Sequence, residues 1–337
     1  MKKIRTYYRN TFAGFLLLLA SFLFQSCADT GDSWLPMMQG RPGEVVLVIN
    51  SALYSGPIGT EFQKILKSPQ VGLPQPEPLF DISVLPPGAV TDVIKQQRNL
   101  ILVNVGSEVK KTEIVIKNDV WAKKQLVITV SAPNQEKMVA LLKESGQKIV
   151  DIINSTERKR IIDSYKSLQD NSIDKRLRKK HNISLVIPGG FNYYHDTTNF
   201  AWITRTDPHD IRQVILVYYY DYAGPDAFKL DSLIKMRDEI LQKYLLGPRD
   251  GSYMSTEKRE PCYLKEFNMD GKYTAELRGR WMLVNDFMGG PFMSLSRVDE
   301  KRNRVVTVEA HVYAPQFDKR EYLRQIEAIV YSMKIVE

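Results

Sequence analysis

Two cysteines and four histidines are the side chains in this 337-residue sequence with the narrowest chemistry. Cys27 follows Gln25-Ser26 at the end of an apolar run from Phe12 to Phe24. A thiol there, with a small residue just before it, can be acylated. Cys262 sits in Arg259-Glu260-Pro261-Cys262-Tyr263-Leu264. A nucleophilic thiolate needs a histidine or another cation against it to lower its pKa, and the sequence alone does not put one there. Cys262 therefore reads as a buried small hydrophobe. None of His181, His195, His209 and His311 has a second histidine three or four residues away, the spacing that places two ligands on one helix face. No Gly-x-Ser-x-Gly elbow occurs. With 39 acidic residues, no carboxylate pair can be singled out as a glycosidase dyad. The sequence assigns no catalytic, cofactor-binding or metal-binding residue and implies no cofactor.

The elements around Cys27 come in the order of an export signal. Lys2, Lys3, Arg5 and Arg9 form a positive start without an acid, and the apolar run follows. That run is shorter than the about 20 residues a membrane-spanning helix needs, and it suits the core of a signal peptide. The stretch resembles a bacterial lipoprotein signal. Phe24 and Gln25 stand where the usual pattern has Leu and a small residue, and this relaxed form is similar to the lipoprotein signals of Bacteroidetes. The resemblance implies that residues 1–26 are removed and that Cys27 carries the lipid. Two or more acyl chains then hold the protein at a membrane. The implied location is the cell envelope, at the periplasmic or surface face of the outer membrane.

The leader holds four of the 47 Lys and Arg and none of the acids, so the formal charge falls from +8 to +4 without it. So small a surplus gives no reason to invoke nucleic acid. With Cys27 lipidated, Cys262 stands alone and no intramolecular disulfide can form.

The rest of the chain reads as an α+β protein. Residues 27–43 are rich in Gly, Pro and Asp and lack periodicity, as a flexible tether would. Continuous apolar or alternating runs at 45–49, 79–85, 100–105, 113–117 and 126–130 read as strands. The glycine loop at 54–60 lacks both the Walker and the dinucleotide pattern and reads as a plain strand–helix turn. A helical segment from Asn134 breaks near Asp170-Asn171-Ser172. Its basic end, with Lys175, Arg176, Arg178, Lys179 and Lys180, reads as a solvated helix terminus, with contact to anionic headgroups as the sharper alternative. Strands at 183–187, 200–205, 212–222, 280–287 and 304–313 follow, with helices at 226–244 and from Asp318, which is spaced for a capping box. Residues 249–280 read as charged and irregular, and 288–291 as a loop.

Residues 130–137 and 312–319 align with four of eight positions identical, each as strand, Ala-Pro turn and helix start. This echo predicts two related α/β sandwich-like units, 44–168 and 182–337, with mostly antiparallel sheets and packed helices, joined by a long helical segment that ends in a basic connector, 169–181. Tyr193, Tyr194, Trp202, Tyr218, Tyr219, Tyr220 and Tyr222 crowd one part of the second unit, either as core or as a binding face.

The relaxed signal, the early strand Gly43-Glu44-Val45-Val46-Leu47-Val48, Leu73-Pro74-Gln75-Pro76-Glu77-Pro78, Val120-Trp121-Ala122 and Ala314-Pro315 with Tyr322-Leu323 together resemble an uncharacterised Bacteroidetes lipoprotein family. The resemblance implies location and a two-part body, and no activity. The reading is a membrane-anchored, non-enzymatic binding or structural module with an envelope protein or glycan as partner. The alternatives are an envelope hydrolase using scattered Asp, Glu and His, and a carrier with a small-ligand pocket between the halves.

Overall fold

The β-branched runs of the first half become one five-stranded sheet. The computed structural model describes residues 34–336, so the signal stretch and Cys27 lie outside the described residues. The strands are β1 (Glu44–Val48), β2 (Asp81–Leu85), β3 (Asn99–Val105), β4 (Glu113–Asn118) and β5 (Leu126–Ala132), in the order β2-β1-β3-β5-β4. β1, β2, β3 and β5 run parallel, and β4 closes the edge antiparallel to β5. Parallel strands are apolar on both faces because both must be covered. Val45, Leu47, Ile101, Ile128 and Val130 pack under two helices, α1 (Pro57–Leu66) and the 33-residue α2 (Gln135–Ser167). Val46, Val48, Leu100 and Val127 pack on the other face against Ile94 and Trp121.

The second half is antiparallel. A short ladder pairs β6 (Ile183–Ser184) with β15 (Lys334–Ile335). The main sheet contains β7 (Asn192–Asp196), β8 (Phe200–Thr206), β9 (Arg212–Asp221), β10 (Tyr253–Thr256), β11 (Tyr263–Met269), β12 (Lys272–Val284), β13 (Gly289–Asp299) and β14 (Arg304–Tyr313). Its order is β10-β12-β13-β14-β9-β8-β7, with β11 on the near half of the long β12. Two helices, α3 (Asn171–His181) and α5 (Arg320–Tyr331), cover one face through Ile173, Leu177, Leu323, Ile326 and Ile329. A third, α4 (Leu230–Tyr244), covers the other through Leu233 and Leu241. Cover on both sides is why residues 214–218 are buried without a break.

The α+β class is as expected, but four expectations change. The halves are not related copies: one sheet is mainly parallel, the other antiparallel, with different strand orders. The Ala-Pro echo is a strand–helix junction that occurs twice. Continuous apolar runs such as Val45–Ile49 carried the parallel signal, and the expectation of antiparallel sheets in both halves overlooked it. The basic connector is also no linker. It is most of α3, and Ile173, Leu177 and His181 are buried in the second half's core. Residues 249–280 hold β10, β11 and the start of β12, and Gly289-Gly290-Pro291 opens β13. A Cβ on Gly290 would lie 2.2 Å from the Val312 carbonyl, so the close approach of β14 excludes a side chain. Finally, the expected tether is already docked before its end: Met37 pairs with Lys123 and Gln39 with Gln97. From Met37 onward the chain is one compact unit.

The start of α5 shows how the halves are joined. Asp318 does not cap it. The backbone N–H groups of Lys319 and Arg320 donate to Oε1 and Oε2 of Glu77, at 2.7 and 2.8 Å. Glu77 comes from the proline loop of the first half. Arg320 then pairs with Asp81 of β2 at 2.7 Å, and Arg324 donates to the Leu79 carbonyl.

Candidate functional site

A cleft of about 560 Å³ opens where the two halves meet. One wall is the outer face of α2, with Gln147, Asp151, Asn154 and Arg158, together with residues 68–71 of the loop after α1. The other wall is β11 with Tyr263, Lys265 and Phe267, and α5 supplies Glu327 and Tyr331 at the floor. β11 is a free edge of the main sheet, and none of its side chains is fully buried: Leu264, Phe267 and Met269 are half-covered and the rest are exposed. Lys265 reaches Asp151 across the mouth at 3.6 Å.

The floor is an ionic relay between halves. Glu327 accepts from Arg158 of α2 at 2.6 Å and from Arg278 of β12 at 3.2 Å. Arg278 also donates to Glu276 at 2.6 Å, and the Tyr331 hydroxyl donates to the same carboxylate. The Arg158 guanidinium lies 3.5 Å from the centre of the Tyr331 ring. Burial pushes the Glu327 carboxyl up, but Arg278 and Arg158 outweigh it and hold it well below the usual carboxylate range. For Arg278, burial works downward, and Glu276 and Glu327 overcome it and raise it. Burial, then Glu276, pushes the Tyr331 phenol up, so it stays protonated and donates.

This arrangement binds and orients better than it reacts. A general acid needs a carboxyl poised near the working pH, and a carboxylate locked between two guanidinium groups is not one. None of the four histidines lines the cleft. Among the described residues, no cluster of three His, Cys, Asp or Glu is placed to hold a metal ion.

The other residues singled out by sequence fall elsewhere. Cys262 is half-buried in a second hollow beside α4, its Sγ 2.7 Å from where a Cβ on Gly279 would stand. Burial pushes its thiol up despite nearby Arg237, so it is a poor nucleophile. His181 is fully buried and bonds Asp196 at 2.8 Å. His311 is buried beside Trp281 and Arg237, and burial, then Arg237, lowers its pKa to about 3. The aromatic crowd divides. Tyr218 is core, bonded to Glu309. Tyr194 is exposed, its ring 4.3 Å from that of Trp202. Arg158, Glu276, Arg278 and Glu327 were not singled out from the sequence. Their signal is a charge where the pattern wants an apolar residue: Glu327 interrupts the buried face of α5, and Glu276 and Arg278 flank Leu277 in β12.

Residues 39–166 match the family model of a domain of unknown function, DUF8532, and residues 170–332 match that of another, DUF4837. Comparison with curated proteins finds no match. Among solved structures, the Ran-binding protein Mog1p of Saccharomyces cerevisiae aligns with 46% of this chain and 91% of its own, at 10% identity and a TM-score of 0.31. LpqN of Mycobacterium tuberculosis, described as involved in cell envelope biogenesis, aligns with 46% of this chain and 83% of its own, at 14% identity and TM-score 0.28. A Bacteroides thetaiotaomicron protein aligns with 46% of each chain at 11% identity and TM-score 0.20. Among the described residues, no helix is long and apolar enough to cross a membrane.

Proposed function

We propose that this chain, which carries two domains of unknown function, is a lipid-anchored, non-enzymatic binding protein of the cell envelope, and that it seats a polar segment of an envelope protein or glycan between its halves. The single observation behind this reading is the cleft itself. Both halves line it, it holds about 560 Å³, and the carboxylates and guanidiniums of its floor are already bonded to one another. Such a floor supplies fixed polar groups for orientation and no group free to take or give a proton. A hydrolase would need a carboxyl or histidine with a perturbed, accessible pKa near neutrality. Of the two carboxyls at the floor, Glu327 is held ionised and Glu276 is bonded to Arg278 and Tyr331. Anchoring rests on Cys27 and the export pattern before it.

Two measurements test the parts separately. Mass spectrometry of the natural N-terminus is expected to find Cys27 first and acylated, and an unmodified or different first residue refutes the anchor. A photo-crosslinking residue at Ser155, on the α2 wall of the cleft, is expected to capture a discrete partner in cells. The same residue at Lys235 of α4, which covers the other face of the main sheet, is the control. Equal capture at both positions, or none at Ser155, refutes the cleft as the binding site.

A further inference from the structure

Arg297 of β13 is 4% exposed and makes no ion pair among the described residues; the nearest help is the longer-range field of the Asp270 carboxylate. One of its terminal nitrogens donates to the Met269 carbonyl, and its Nε is buried with no partner. Nearby Asp299 is already taken by Arg304 at 2.9 Å and Arg302 at 3.1 Å. Asp270, at the turn between β11 and β12, lies beyond ion-pair distance of Arg297. A buried guanidinium without a counter-charge is costly, and proteins retain such groups where an anion binds.

Arg297 lies on a hollow of about 530 Å³ at the end of the main sheet, remote in sequence from the α2 wall of the cleft. Lys301 and Lys334 line the same hollow, and neither makes an ion pair among the described residues. Lys272, also lining it, leans on Glu300 at 3.5 Å. Asp270, Asp299 and Glu300 line the hollow too, but Asp299 is held by Arg302 and Arg304 and Glu300 by Lys272. Three cations without an ion-pair partner thus face one space, and the buried one, Arg297, has an unpartnered Nε. The geometry points to a binding site for a phosphate-type oxyanion: Arg297 gives directed N–H donors from the wall, and Lys301 and Lys334 supply charge at the rim.

Inorganic phosphate is the first probe, added to the full chain at constant ionic strength. It is expected to raise Tm, and calorimetric titration is expected to show saturable binding. Arg297→Met is expected to weaken that binding about tenfold or more while leaving Tm without phosphate unchanged or higher, because it removes an uncompensated buried charge. Lys301→Ala with Lys334→Ala covers the case in which Arg297→Met does not fold; the pair is expected to weaken phosphate binding several-fold. Vesicles of phosphatidylglycerol, with phosphatidylcholine as control, identify the source. Arg297-dependent flotation with the anionic vesicles alone assigns the site to a lipid headgroup, and phosphate binding without flotation assigns it to a soluble phosphate ester. The proposal is overturned if phosphate neither shifts Tm nor titrates, or if the variants bind phosphate as the parent does.

Discussion

Replacing Glu77 by Ala tests whether the first half holds the last helix in place. Glu77 is 8% exposed, and its carboxylate accepts two backbone N–H bonds at the start of α5. An ordinary N-cap is worth about 0.5–2 kcal/mol, and a bond to a charged acceptor about 1.5–3 kcal/mol. Two such bonds in a site that water barely reaches, counted as partly redundant, give a loss of about 2–4 kcal/mol. For a chain of this size that lowers Tm by about 4–8 °C. Glu77→Gln keeps one acceptor and is expected to lose about half as much. Urea unfolding followed by both far-ultraviolet dichroism and tryptophan fluorescence gives the free energy and checks that one transition is being read. Asp318→Ala is the control. Asp318 looks like the cap in sequence but makes no cap bond, so its loss is expected to stay within about 0.5 kcal/mol. The reasoning fails if Glu77→Ala is also that mild, or if Asp318→Ala costs as much.

Burial, then Arg237, lowers the His311 pKa from 6.5 to about 3, so its stabilising effect is complete above the unfolded value and is lost as pH falls from 6.5 toward 3. His311→Gln is expected to reduce the acid-side slope of stability by up to one proton, about 1.4 kcal/mol per pH unit; an unchanged slope between pH 6 and 4 refutes this. Cys262, with its thiol pushed up by burial, is expected to react with iodoacetamide more slowly than free cysteine at pH 8, and Cys262→Ala to lower Tm only slightly. Reaction as fast as free cysteine contradicts that account.

Much of the fold was legible where periodicity and burial agree. Val45–Ile49, residues 100–105 and 126–130, and the seven apolar or aromatic residues at 214–220 all became strands, and the long helical segment breaks at Leu168 with Asp170 capping its successor. Legibility failed where a charge is buried by pairing. In β12, Glu276 and Arg278 give an irregular look to a strand whose charges turn toward Glu327 and Tyr331. Arg98, Asn99, Glu157 and Arg160 likewise form one buried network between β3 and α2, with bonds of 2.5–2.9 Å, so the buried face of α2, apolar from Met138 to Ile153, ends in charges. The cap on α5 was hidden for a different reason. Local spacing proposes local partners, and Glu77 lies 242 residues before the N–H it binds.

That separation bears on biosynthesis. The chain emerges with Glu77 early and α5 nearly last, so the clasp between them closes only after almost everything else has been made. Contacts over such a span form slowly, because the intervening chain must first be gathered. Until it closes, the first turn of α5 lacks its acceptors, and the helix is held only by its apolar face on the main sheet. A fragment starting at residue 170 would keep that packing but leave the first turn of α5 without its cap permanently.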